Sequence, residues 1–146
     1  MKSMTLRKRV LLVDDETPVR EALGRVFGLE QYDVVAVATG REAMATFDGA
    51  EIDLAVLDLT LAAESGWDTV RELIALNPAL PVIVITARPD QGSLPLAKRV
   101  AAVMEKPLDL PLLLATVSRL LSQLPIEKIE KSVRAPRRAQ ERGLVS

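Results

Sequence analysis

Residues 54–66 read Leu-Ala-Val-Leu-Asp-Leu-Thr-Leu-Ala-Ala-Glu-Ser-Gly, and this stretch decides the architecture. It opens as a short apolar run, the pattern of a strand buried on both faces. It then reaches one acid, Asp58, and passes into a loop. A carboxylate at the end of a buried strand is a poor choice for stability. It is a good choice for chemistry, because open α/β sheets gather their sites at the carboxyl ends of their strands.

The chain on either side repeats the same theme. Arg9–Asp15 (RVLLVDD) reads as a first strand ending on two acids, and Thr17-Pro18 opens a helix, with Thr as cap and Pro in the first turn. Val19, Ala22, Leu23, Val26 and Phe27 then mark one buried helical face. Tyr32–Ala38 reads as a second strand, and Thr39-Gly-Arg-Glu42 fits a capping box. Ile52–Asp58 is the third strand, Ser65 begins a third helix that Asn77-Pro78 breaks, and Pro81–Thr86 is the fourth strand. A fourth helix is expected over Ser93–Val100, in a segment interrupted by Pro95. Ala101–Glu105 is a fifth strand, and Leu110–Leu124 a fifth helix closed by Pro125. Strands alternating with helices imply a parallel sheet covered on both faces, and right-handed crossovers make a doubly wound α/β domain the natural solution.

This gives one domain over residues 8–124. Residues 125–146 form a C-terminal extension of different composition. Ile126, Ile129 and Val133 share a helical face, with Glu127–Lys131 and Glu130–Arg134 at i,i+4 spacing. Beyond Pro136 the chain is basic and expected to be disordered. The plain reading is a solvated tail or the stub of a linker; a docking helix or an anion-binding arm are the sharper ones.

Composition narrows the chemistry. In 146 residues there is no Cys and no His, which removes disulfides, thiolate metal sites, a Ser–His triad and a histidine phosphocarrier. The net charge of −1 steers toward no partner. No apolar run approaches the roughly 20 residues of a membrane span, and the apolar run after the basic N-terminus is too short for a signal peptide. A cytoplasmic protein is expected.

Parallel strands would bring five polar residues to one sheet edge: Asp14, Asp15, Asp58, Thr86 and Lys106. Three carboxylates against one ammonium leave a surplus of negative charge, so either a proton is retained or a cation recruited. Hard oxygen ligands suit Mg²⁺ rather than zinc. A divalent ion, a Lys and a Thr hydroxyl together form a cradle for a phosphoryl group, with Asp58 as its acceptor.

Each residue also has a plainer explanation. Asp14 or Asp15 could cap the first helix, Asp58 and Thr86 could be ordinary strand-end residues, Lys106 a structural counter-ion and Trp67 simple packing.

Four segments taken in order, Val10–Glu16 (VLLVDDE), Val56–Trp67 (VLDLTLAAESGW), Val82–Ala87 (VIVITA) and Glu105–Leu108 (EKPL), make the chain resemble the receiver domains of two-component response regulators over about Lys8–Leu124. The resemblance implies a flavodoxin-like (βα)5 fold with strand order 2-1-3-4-5. It implies that Asp15 and Asp58 bind Mg²⁺ directly, Asp14 through water, and that the Thr60 backbone carbonyl is a further ligand. Asp58 would take the phosphoryl group from a phosphohistidine on a sensor histidine kinase or histidine phosphotransfer protein. Thr86 would move toward the phosphate, and a downstream protein partner would read the change. The Lys106–Pro107 bond is often cis in such domains. Thr60 and Arg88 occupy positions that tune dephosphorylation. A homodimer is among the possible partners; direct DNA binding and membrane insertion are not expected. The module would catalyse its own phosphorylation without being a turnover enzyme.

The sequence departs from the family pattern in three places. Val103 stands where an aromatic residue is usual, Ala62 where Pro is common, and the segment from Thr86 to Lys106 is slightly short. Two competing functions remain in view. One is a pseudo-receiver acting as an interaction scaffold. The other is a haloacid-dehalogenase-type phosphatase, which expects a second acid where Thr60 stands.

Overall fold

The computed structural model describes residues 7–49, 51–59, 63–87 and 94–134. Thr60, Leu61, Ala62, Arg88, Ser93 and the basic tail after Arg134 lie outside the described residues.

Five strands, β1 (Arg9–Val13), β2 (Asp33–Val37), β3 (Leu54–Leu59), β4 (Val82–Thr86) and β5 (Ala102–Glu105), form one parallel sheet in the order β2-β1-β3-β4-β5. The central strands β3 and β4 are buried at every position, as their largely apolar sequences, broken only by Asp58 and Thr86, lead one to expect. The helices are α1 (Thr17–Leu29), α2 (Gly40–Gly49), α3 (Ala63–Leu76), α4 (Leu94–Ala97) and α5 (Leu110–Arg134). The alternation and order are those expected from the sequence.

The sheet separates two layers of core. Leu11 and Val13 of β1, Ala55, Leu57 and Leu59 of β3, and Val82 and Val84 of β4 belong to one buried cluster with Trp67, Val70 and Leu73 of α3. The alternate residues Val10, Leu12, Leu54, Val56, Ile83 and Ile85 are equally buried and point to the other face. This two-sided assignment matters for the site below.

Local chemistry sets the helix ends. α1 ends in a Schellman motif: Tyr32 N–H donates to Phe27 O, Gln31 N–H to Gly28 O, and the Phe27 and Tyr32 rings meet edge to face at 6.4 Å. Gln31 takes the left-handed position (φ 74°) that glycine usually fills. At the start of α2, Thr39 Oγ1 accepts the Glu42 N–H at 3.1 Å. Glu42 reaches back to the Ala38 N–H at 2.8 Å, one residue beyond the usual capping-box target.

Three details differ from the sequence expectation. Thr17 is not the cap of α1: Glu16 occupies that position with extended backbone and Thr17 is already helical. The side chain of Asp14 takes over the loop instead, accepting the Glu16 N–H at 2.9 Å. α4 is a single turn, because the Arg99 N–H bonds to Leu96 O in a tighter turn and Ala101 N–H then enters the sheet at Val82 O. α5 does not stop at Leu124 but runs through Pro125 to Arg134. A proline removes one rung of the helix ladder, while the i,i+4 opposite-charge spacings after it favour continued helix.

The described residues divide into two compact units between Leu110 and Pro111. In the second unit, Leu113, Thr116, Val117 and Leu121 of α5 are buried at helical spacing.

Gly40 and Thr69 mark a close approach of α2 and α3. A Cβ on Gly40 would overlap Thr69 Oγ1 and lie 3.3 Å from Thr69 Cβ, and Thr69 is itself buried. Gly40→Ala is expected to destabilise the domain by about 1–3 kcal/mol. The double variant Gly40→Ala/Thr69→Ala should recover about 1 kcal/mol of that relative to additivity. Denaturant midpoints of the four-member cycle check this, and strict additivity would show that the two residues do not meet.

Candidate phosphoacceptor site

The strand register decides which polar side chains meet. Val13 pairs with Leu57, Leu57 with Val84, Asp58 with Ile85, and Ile85 with Met104. Asp14, one residue past β1, therefore stands level with Asp58. Both fall on the sheet face of Leu12 and Val56. Lys106, two residues past Met104, returns to that same face by pleat alternation, and its N–H bonds to Thr86 O at 3.0 Å. Asp15 and Thr86 fall on the other side. The pleat thus sorts the five residues into Asp14, Asp58 and Lys106 on one face and Asp15 and Thr86 on the other.

Distances and burial agree with this sorting. Lys106 Nζ lies 2.8 Å from Asp58 Oδ1, with the Asp58 side chain 2% exposed and that of Lys106 27% exposed. The ion pair is close, but Asp58 Oδ1 has no partner at hydrogen-bonding angles. Asp14 is fully buried, and its Oδ2 likewise lacks a hydrogen-bond partner. Its N–H is bonded to Val37 O at 3.0 Å and its Oδ1 to the Glu16 N–H. Asp15 is exposed, and Thr86 is buried. The Lys106–Pro107 bond is cis. Trp67 is packed in the core, with its indole N–H buried and without a hydrogen-bond partner.

Burial pushes the Asp14 carboxyl up from 3.8 to about 6; the Glu16 N–H opposes this, neighbouring Asp58 adds to it, and Lys106 opposes it. The sign follows directly. A carboxyl whose pKa is raised on folding favours the folded state below 3.8, and that contribution is lost as pH rises through about 6. In full it amounts to about 3 kcal/mol, roughly half of it lost between pH 5 and 7.5. Without divalent cation, Asp14→Asn is therefore expected to raise the thermal midpoint relative to the parent chain more at pH 7.5 than at pH 5. Equal differences at the two pH values would show that Asp14 titrates normally.

The acids line an open cavity of about 250 Å³ that is also lined by Thr39 and Gly40 at the start of α2 and by Gly66 and Thr69 of α3. Sequence reading did not single out this part of the lining, because only the packing of α2 against α3 brings it to the acids. Among the described residues, no three carboxylates are gathered closely enough to hold a metal ion by themselves. Asp14 Oδ2, buried without a hydrogen-bond partner, and Asp58 Oδ1, which is paired with Lys106, nevertheless suit a hard cation that keeps several waters and takes only one or two direct carboxylates. The Thr60 carbonyl lies outside the described residues.

Buried acids at the carboxyl ends of the adjacent parallel strands β1 and β3, with a lysine from just past β5 paired to one of those acids, define a phosphoryl-transfer type of site. Family comparison agrees: the response regulator receiver domain model matches residues 10–118. The chain belongs to this family, the phosphoacceptor modules of two-component signalling, which are regulatory rather than classical enzymes.

Among curated proteins it is 33% identical over 120 residues to the response regulator MprA of Mycolicibacterium vanbaalenii, covering 77% of this chain and 50% of that protein. It is also 33% identical over 122 residues to the transcriptional regulatory protein ZraR of Escherichia coli O157:H7, covering 80% of this chain and 27% of that protein. The chain thus spans half or less of the length of these relatives.

Among solved structures, the response regulator TrrA of Thermotoga maritima in complex with Mg²⁺-BeF superposes with a TM-score of 0.70 at 27% identity, over 77% of this chain and 98% of that one. The non-phosphorylated HemR receiver domain of Leptospira biflexa gives 0.69 at 28% identity, over 80% of this chain and 95% of that one. Among the described residues, no helix is long and apolar enough to cross a membrane.

Proposed function

We propose that Asp58 is the phosphoacceptor of this receiver, and that a sensor histidine kinase or histidine phosphotransfer protein supplies the phosphoryl group. The observation that carries the reading is the pairing of Asp58 with Lys106 beside Asp14, whose pKa is raised. A carboxylate oxygen of Asp58 attacks phosphorus. The P–O bond forms as the donor P–N bond breaks and the electron pair stays on that imidazole nitrogen; a proton carried on the other ring nitrogen makes the leaving group a neutral imidazole. Lys106 faces the charge that develops on the phosphoryl oxygens, and Thr86 would approach the group from the opposite face of the pleat.

Asp15 and Asp58 would hold Mg²⁺ directly, Asp14 through water, with the Thr60 carbonyl as a further ligand. When bound, the ion neutralises phosphoryl charge and offsets the repulsion between the carboxylates. Support comes from the unpartnered buried oxygen Asp14 Oδ2 level with Asp58 and from the Mg²⁺-BeF complex formed by the Thermotoga relative. The chain catalyses its own phosphorylation and dephosphorylation only, works in the cytoplasm, and passes the signal to a downstream protein without touching DNA itself. Residues 8–124 form the receiver and residues 125–146 an extension.

Intact mass after incubation with Mg²⁺ and acetyl phosphate tests the reading. A gain of one phosphoryl group that disappears with chelator supports it. Absence of both that gain and any beryllofluoride binding in Mg²⁺ would overturn it.

A further inference from the structure

We propose that Arg20 is a positioning residue for the acid site, holding the peptide that joins Asp14 to Asp15 in the geometry at which those carboxylates meet a divalent cation. The proposal rests on the site reading above. From the first turns of α1, Arg20 Nη1 donates to the backbone oxygen of Asp14 at 2.8 Å, and Nη2 donates to Thr17 Oγ1 at 3.3 Å. The second bond fixes the plane of the guanidinium, so the first is aimed and not merely available.

Arg20 completes a set. The Asp14 N–H is held by Val37 O, its Oδ1 by the Glu16 N–H, and its carbonyl by Arg20. Only Oδ2 remains without a hydrogen-bond partner, and it belongs to a carboxyl that interacts with Asp58. The carbonyl that Arg20 holds is one end of the Asp14–Asp15 peptide. Rotation of that peptide plane would swing Asp15 relative to Asp14, and a charge-assisted bond at its oxygen opposes that rotation. The half-buried Arg20 also places a cation beside the acid-bearing loop. A side chain serving only to cap the loop would contribute to stability alone. A positioning role predicts a specific loss of metal affinity, as outer-shell partners of metal ligands commonly show.

The test uses the full chain with Arg20→Met and Arg20→Lys. Mg²⁺ alone is titrated by calorimetry, the Mg²⁺ dependence of acetyl phosphate labelling is followed by intact mass, and thermal midpoints are taken without divalent cation. Arg20→Met is expected to weaken Mg²⁺ binding about tenfold and to regain most of its labelling at saturating Mg²⁺. Arg20→Lys, which can make one of the two bonds, should fall between Met and the parent. A dissociation constant for Mg²⁺ within about twofold of the parent in Arg20→Met, far below the tenfold scale of outer-shell effects, would overturn the proposal, whatever happens to the midpoint. If Arg20→Met does not fold, Arg20→Lys decides: parent-like Mg²⁺ affinity in that variant overturns the proposal, and weakened affinity with a parent-like midpoint supports it. Failure of the parent chain itself to bind Mg²⁺ would overturn the site reading and this proposal together.

Discussion

Asp58→Asn is expected to reduce Mg²⁺-dependent labelling by acetyl phosphate to background while leaving the fold intact. The first half follows from chemistry: an amide oxygen does not form the acyl phosphate that a carboxylate forms. The second half follows from the environment. Asp58 is level with Asp14 across β1 and β3, and the two acids repel. Removing one charge relieves Asp14 rather than stranding it. Lys106 loses its partner at 2.8 Å, but its side chain is 27% exposed and remains hydrated. The variant should therefore match or exceed the parent in thermal midpoint at neutral pH without Mg²⁺. Full labelling of Asp58→Asn would move the acceptor to another residue. A collapsed midpoint would show that the Lys106 pair carries structural weight that its exposure does not suggest.

Lys106→Ala separates metal binding from phosphoryl acceptance. Among the described residues its ammonium is ion-paired with Asp58, and it competes with any cation for Asp58 Oδ1. Removing it leaves every candidate metal-binding oxygen in place, so Mg²⁺ affinity should hold or rise. The labelling rate should fall on the order of a hundredfold, the usual cost of one lost donor to a developing oxyanion. Parallel measurement of the Mg²⁺ dissociation constant and the labelling rate checks this. Equal losses in both would mean that Lys106 acts by ordering the site rather than by stabilising transferred charge.

The strands were legible because a strand buried on both faces has no choice of composition. β4 could be bounded to within one residue and β3 to within two for that reason. The candidate site residues stand out because each lies at or just past the end of a strand, in a position where a polar residue needs a purpose. The helix ends were less so. Thr17 looked like a cap, but the loop is organised by the Asp14 side chain, a competition between two local oxygens that sequence alone does not rank. α4 was expected to be longer than its observed single turn, because the pull of β5 into the sheet ends it early. Pro125 looked like a terminus, yet a proline's local cost did not end α5. Arg20 carried no signal at all. An arginine on an amphipathic helix is ordinary until the fold shows which carbonyl it reaches.

The pleat has one consequence for mechanics. By strand register Asp58 lies on one side of the sheet and Thr86 on the other, and the two sides are joined through the strand backbones. A group held by both side chains at once is a rivet through a laminate: it couples two plies that could previously slip. The load it transmits is shear across the sheet. Its effect would be read as lost compliance spread over many residues, rather than as the travel of one loop.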